Sequence, residues 1–258
     1  MKTCFFSRFS KGLVLSISIL CLISCNHTDD VTPTGQVKFQ FTHVVGSLPL
    51  ALNATQYTNA AGESFYVKTF KYYISNIKFI RADGSQYAQP ESYYLVNEGD
   101  SASKTFTIPN VPIGTYTGVN FMIGVDSTRN VSGAQTGALD ALNDMFWSWK
   151  TGYIFVKMEG TSPSSTASGN RIEYHIGGFQ NPNNIRTATF SLGNNKLYIK
   201  SDSTSSIHFQ TDVGQLFQTP NLIKFAETPA LMTEPKTADI ADNYSDMFSI
   251  VSIQTGNP

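Results

Sequence analysis

No cysteine occurs after position 25. The chain of 258 residues has three, Cys4, Cys21 and Cys25, so a domain beyond them has no disulfide, no thiolate metal site and no cysteine nucleophile. Charge is scarce as well: 14% of residues are Asp, Glu, Lys or Arg and the formal net charge is -1. That balance gives no electrostatic basis for binding nucleic acid. No run is long enough to span a membrane, because the most apolar stretch, residues 13–23, falls short of the ~20 residues a spanning helix needs. Catalytic signatures are missing too, with no G-x-S-x-G, H-E-x-x-H, P-loop or G-x-G-x-x-G, and the chain is expected not to be an enzyme. A glycosidase-type carboxylate pair, Glu159 and Glu173, rests on residue type alone.

What the first residues do contain is a leader. Lys2, Arg8 and Lys11 flank the start of the apolar run, and no acidic residue precedes Asp29. A basic segment followed by about 7–15 apolar residues is the pattern of a secretory signal. The run ends Leu22-Ile23-Ser24-Cys25, which resembles a bacterial lipobox. Residues 1–24 are therefore expected to be removed and Cys25 to carry lipid, which anchors the protein to the periplasmic or cell-surface face of the outer membrane. Residues 25–35, polar and turn-forming, are expected to be a flexible tether carrying a solvated His27. Residues 36–258 are expected to form one domain, with no internal repeat and no second linker.

Within that domain, short runs with period-two alternation follow one another, bounded by Gly, Pro, Asn and Ser. They lie at 37–42, 65–80, 93–96, 105–108, 116–123, 153–158, 172–176, 187–192, 196–200 and 207–213. Helical periodicity is short, at 137–145 and 238–247. Such a pattern predicts an all-β fold, a single antiparallel β-sandwich with a few short helices. Gly193-Asn194-Asn195 predicts a hairpin turn, and residues 162–170, SPSSTASGN, a solvated hairpin loop.

Among the histidines of the domain, His208 shares a face with Gln210 and Asp212 and reads as outward. His43 extends the apolar face of Val37, Phe39 and Phe41. His175 stands just before Gly177-Gly178, where a strand bend re-aims side chains. Each has an ordinary reading as a hydrogen-bonded structural histidine, yet two neutral imidazoles brought together suit copper or zinc. The most unusual segment is Asp144-Met145-Phe146-Trp147-Ser148-Trp149-Lys150-Thr151-Gly152-Tyr153. It holds both tryptophans of the chain. The segment reads as a core ridge, a sugar-stacking platform, or a redox-active Trp beside a metal.

Several stretches together resemble a known family. They are Phe41-Thr42-His43-Val44-Val45-Gly46, Lys71-Tyr72-Tyr73-Ile74-Ser75-Asn76-Ile77, Phe121-Met122-Ile123-Gly124-Val125-Asp126, the double-Trp segment with Glu159-Gly160, Tyr174-His175-Ile176-Gly177-Gly178, and Ala241-Asp242-Asn243-Tyr244. On these the chain is similar to the MbnP-like copper-binding proteins of the bacterial envelope. The resemblance implies copper (Cu(I) or Cu(II)), His43 and His175 as metal ligands, and a dihaem cytochrome c peroxidase-like partner enzyme. It also implies oxidation of Trp147 or Trp149 to kynurenine, with Met145 and Tyr153 as possible neighbours and Met122 and Met158 as further thioethers. The role implied is copper capture or handover. Residues 226–233, AETPALMT, carry none of the further histidines that the resemblance leads one to look for. A glycan- or peptide-binding surface lipoprotein using exposed aromatics is the competing reading.

Overall fold

In a computed structural model, the structure describes Met1 and residues 32–133, 135–147 and 152–256. The expectations for Cys25, His27, the leader and Trp149 lie outside the described residues. Among the described residues fifteen strands follow in order: β1 (Thr34–Val45), β2 (Leu48–Pro49), β3 (Tyr57–Thr58), β4 (Ser64–Arg81), β5 (Gln86–Ala88), β6 (Tyr93–Asn97), β7 (Thr105–Pro112), β8 (Gly114–Ile123), β9 (Ile154–Thr161), β10 (Arg171–Gly177), β11 (Arg186–Ser191), β12 (Leu197–Ile199), β13 (Thr204–Asp212), β14 (Ala230–Leu231) and β15 (Phe248–Gln254). The described residues also form the α-helices α1 (Ser127–Asn130) and α2 (Thr237–Tyr244). Among the described residues no helix is long and apolar enough to cross a membrane. Strand β1 starts at Thr34, so the last two residues read as tether are already sheet.

The strands form two sheets. The smaller runs β15-β13-β1, with β2 and β7 also pairing with β1. The larger runs β11-β8-β4-β9-β10-β14, with β12 on β8 and with β3, β5 and β6 on β4. Their inner faces meet through aromatic side chains, for example Phe39 on Phe79 at 6.1 Å between centroids and Phe121 on Phe209 at 5.6 Å. Each side chain of this size removed from water stabilises the fold by about 1.5–3 kcal/mol. The all-β sandwich read from the sequence holds. Pairing is mainly antiparallel, with two exceptions, since β1 lies parallel to β13 and β10 parallel to β14. Alternation encodes which face is buried and carries no strand direction.

Two local expectations are also corrected. Residues 137–145 form no α-helix but two separate 3-10 turns, Gly137–Leu139 and Ala141–Asn143, the second ended by Asp144 in the left-handed region at φ 60°. The turn at Gly193 joins no hairpin. Strands β11 and β12 both pair antiparallel with β8, over Gly118–Ile123 and Gly114–Tyr116, so they are one edge strand interrupted by a turn. Residues 162–170 do connect a hairpin between β9 and β10. That loop is tied down rather than wholly solvated, since the buried Ser162 hydroxyl donates to the Ser64 carbonyl at 2.6 Å.

The large sheet is apolar on its outer face as well. Tyr73, Ile154 and Phe155 point away from the sandwich core, and the excursion after β8 folds back over them with Val125, Leu139, Met145, Trp147 and Tyr153. Close contact between β4 and β9 requires glycine at position 160, where a Cβ would stand 2.0 Å from the Tyr66 carbonyl oxygen. Backbone across a central strand pair cannot retreat, so Gly160→Ala is expected to cost at least about 1–3 kcal/mol, the range for overpacking. Thermal denaturation checks this, and an unchanged Tm would show that β4 and β9 separate more readily than their pairing implies.

Candidate functional site

The outer face of the large sheet presents a row of nitrogen bases. In the register of the sheet, Lys71 of β4 stands opposite Lys157 of β9, and Lys157 opposite His175 of β10. Three such groups abreast would repel one another, and oxygen acceptors separate them. The buried Lys157 donates through Nζ to the Asp144 carboxylate at 2.5 Å and to the Asp144 carbonyl at 3.1 Å. Lys71 donates to the Asn143 carbonyl at 3.1 Å. Glu159 completes the row, 2.8 Å from His175 Nε2 and 3.5 Å from Lys157 Nζ. Two lysines thus clasp the turn that leads directly into Met145-Phe146-Trp147.

The hydrogen bond from His175 does most to hold the Glu159 carboxyl down at about 2, with Lys157 and Thr69 adding to it against the opposing effect of burial. Glu159 is therefore an acceptor. His175 Nε2 is the donor between them. Glu173 lies opposite Glu159 in the strand register, but its carboxylate faces Arg171 at 3.5 Å. A carboxylate already committed to imidazole and ammonium partners is a poor general acid, and the glycosidase idea gains nothing from the geometry.

Trp147 packs beside this row. Its six-membered ring lies directly against Gly177, where a Cβ would come within 2.8 Å of two ring carbons. Glycine there is what admits the indole, and Gly177 is two residues along β10 from His175. Met145 and Tyr153 belong to the same buried cluster, with the Tyr153 ring 5.1 Å from Phe146 and 5.7 Å from Tyr73. Trp147 is 5% exposed and borders a cavity of about 230 Å³ that Gly152, Gly178, Phe179 and Pro182 also line. Met158 lies in the inter-sheet core, away from this cluster. Met122 accepts from Asn76 at 3.6 Å.

His43 sits elsewhere. It faces the inter-sheet core from the end of β1, its ring edge-on to Phe70 at 5.2 Å and to Tyr72 at 5.5 Å. Both ring nitrogens are engaged, Nδ1 with Glu98 at 2.7 Å and Nε2 with the Tyr72 hydroxyl at 2.9 Å. Phe70 and Tyr72 point inward from β4 and Lys71 outward, and Tyr174 and Ile176 point inward from β10 and His175 outward. The structure therefore does not bring His43 and His175 together: they lie on opposite faces of the large sheet, and His43 has no free nitrogen for a metal. His208 is on the outside of the small sheet, 3.1 Å from Thr42 Oγ1, as its pattern indicates.

Copper tests this arrangement in a specific way. Among the described residues no group of three or more His, Cys, Asp or Glu side chains is placed to hold a metal. His43 does not fit a metal site, whereas His175 offers one imidazole two residues along β10 from the glycine on which Trp147 packs. The sequence assigns no role to Lys71, Lys157 or Asp144, although a lysine inside the apolar run Tyr153-Ile154-Phe155-Val156-Lys157-Met158 is a signal that some acceptor must meet it.

The sequence profile of the MbnP family matches residues 34–234. The chain belongs to the MbnP family. Among solved structures, MbnP from Methylosinus trichosporium is similar in fold, with a TM-score of 0.57 and 14% identity over 85% of this chain and 99% of that one. No curated protein matches by sequence. In this MbnP family member the match spans β1 to β14 and so includes the lysine clasp, Trp147 and His175.

Glu159 makes the outer row sensitive to acid. A carboxyl whose native pKa is depressed contributes stability above its ordinary value near 4.5 and loses it as the pH falls toward about 2. Denaturant titrations across that window should show stability falling with pH in the parent protein and a shallower slope in Glu159→Gln. Equal slopes would place the acid sensitivity elsewhere.

Proposed function

We propose that this MbnP family protein is a copper-associated lipoprotein of the cell envelope, without turnover of its own, that captures or hands over the metal. Family membership supports the copper association. The lipobox ending at Cys25 supports export and anchoring. In this reading a dihaem cytochrome c peroxidase-like enzyme oxidises Trp147 or Trp149 to kynurenine, since the chain itself carries no redox group able to do so.

One observation carries the reading to particular residues: Trp147 lies against Gly177, two positions from His175, with Met145 in the same cluster. Opening an indole creates an aniline amine and a ketone. Those groups, an imidazole and a thioether form a mixed nitrogen and sulfur donor set of the kind that suits Cu(I). His175 is then the imidazole of the site, with its ring oriented by Glu159, as a carboxylate commonly orients a metal-bound histidine. His43 serves the core instead.

A stacking surface for glycan or peptide has less support. Trp147 is buried, and among the described residues Tyr198 is the aromatic side chain left largely exposed.

The test has two parts. The peptide spanning residues 145–150 from protein of the native host should carry a tryptophan that has lost one carbon and gained one oxygen. In Cu(I) competition titrations of that protein, His175→Ala should weaken binding by at least about tenfold, the lower end of what is lost when a carboxylate–histidine ligand pair is disrupted. His208→Ala should leave affinity unchanged. Unmodified tryptophans in protein made with an active dihaem partner, or full affinity in His175→Ala, would sink the proposal.

A further inference from the structure

The His43 network contains a chemistry that copper association does not use. Tyr72 is fully buried, walled by Phe41, Phe70 and Phe248 at centroid distances of 6.2, 5.3 and 5.4 Å. Its hydroxyl stands 2.9 Å from His43 Nε2 and 3.0 Å from Thr211 Oγ1. Glu98 is held below the usual carboxylate range: burial pushes it up, but its bonds to His43 and Lys104 and their charges outweigh that. As a carboxylate it only accepts, so His43 Nδ1 is the donor. Burial lowers the pKa of His43 below 6.5, the neighbouring Lys104 adding to the effect and Glu98 opposing it. Burial likewise raises Tyr72 well above its ordinary value. A neutral ring with its proton on Nδ1 has its lone pair on Nε2. The bonds therefore run in one sense, from Thr211 to Tyr72, from Tyr72 to His43 and from His43 to Glu98.

Other buried tyrosines are placed differently. Tyr57, Tyr73, Tyr116, Tyr153 and Tyr174 donate to backbone carbonyls, which cannot take up a proton. Tyr93 donates to the Asp126 carboxylate, but at the rim of an open groove. Tyr72 alone among these joins a dry aromatic site to a proton acceptor of intermediate basicity.

We propose that Tyr72 and His43 form a proton-coupled redox pair. An outer-sphere one-electron oxidant, such as high-valent haem iron or a ruthenium(III) polypyridyl, takes one electron from the Tyr72 ring. The O–H bond breaks, its proton passes to His43 Nε2, and a neutral tyrosyl radical remains. The imidazolium formed is stabilised by Glu98 at 2.7 Å, whose other partner is Lys104 at 2.9 Å. Return of one electron and the same proton restores the phenol. The position of His43 is what makes the step accessible, because an oxidised phenol that keeps its proton is a high-energy cation, and a placed acceptor removes that cost. Exclusion of water protects the radical from side reactions. Tyr73, the next residue, points to the opposite face and touches Tyr153, so the pair adjoins the cluster that holds Trp147.

The experiment is flash-quench oxidation of the full domain with a ruthenium polypyridyl, followed by low-temperature electron paramagnetic resonance. The parent protein should yield a tyrosyl signal, and 3,5-difluorotyrosine at position 72 should change its hyperfine pattern without altering the packing. His43→Gln, which retains a hydrogen-bonding side chain but is no base, should lower the yield by roughly a hundredfold, the scale of a positioned proton acceptor. Tyr93→Phe should leave the signal intact. A hyperfine pattern indifferent to fluorination at 72, or full yield in His43→Gln, overturns the pair and leaves the copper proposal untouched.

Discussion

Strand β4 has to hide both of its faces, and much of the molecule follows from that requirement. Phe70, Tyr72 and Ile74 face the smaller sheet, while Lys71 and Tyr73 face away from it. A two-layer sandwich buries the first set without further structure. The second set, with Ile154 and Phe155 of the neighbouring β9, would leave an apolar patch in water, and so the chain between β8 and β9 is laid over it. The double-tryptophan segment begins in that cover. Phe146, Trp147 and Tyr153 are thus explained by packing, as the lid over the outer face of the sheet.

The two faces use histidine in opposite ways. On the inner face His43 is enclosed, neutral and committed at both nitrogens, so it orders a hydrogen-bonded chain that reaches Lys104. On the outer face His175 is partly open and committed at one nitrogen. Its partner Glu159 balances charge for a row that would otherwise hold only bases. Removing one member of either chain strands a buried charge or donor, which costs more than the bond itself contributes. Both chains are for this reason unlike ordinary surface ion pairs.

Much of this was legible in the sequence, because alternation with period two registers burial directly. The long strands β1, β4, β8, β9, β10 and β13 emerge within a few residues of their ends, and His43 reads correctly as inward and His208 as outward. What alternation leaves out is orientation between strands. It gives no sign that β1 runs parallel to β13, and none that His43 and His175, inward and outward on different sheets, face away from each other. The turn at Gly193 has hairpin chemistry, yet the edge of β8 has room for both flanking strands in line. Residues 137–143 are rich in Ala and Leu, but only Leu139 is buried in a core, with Ala138 at its margin. With no apolar stripe to bury, helical propensity yields two isolated turns. The short strands β2, β3, β5 and β14 carry too few residues to show a period, and β15 was passed over after the helix that precedes it.

The parallel pairing of β1 with β13 has a consequence for how the chain comes together in time. The register joins Gln36 to Thr204 and Val44 to Asp212, so β1 stays open along that edge until the chain has been made as far as β13. Contacts of such long sequence separation carry a large loop-closure cost and slow the final step of folding. Strand β1 accordingly holds an unfilled place for β13 while β2 to β12 are made, and closure of the small sheet acts as a latch on the strands formed before it.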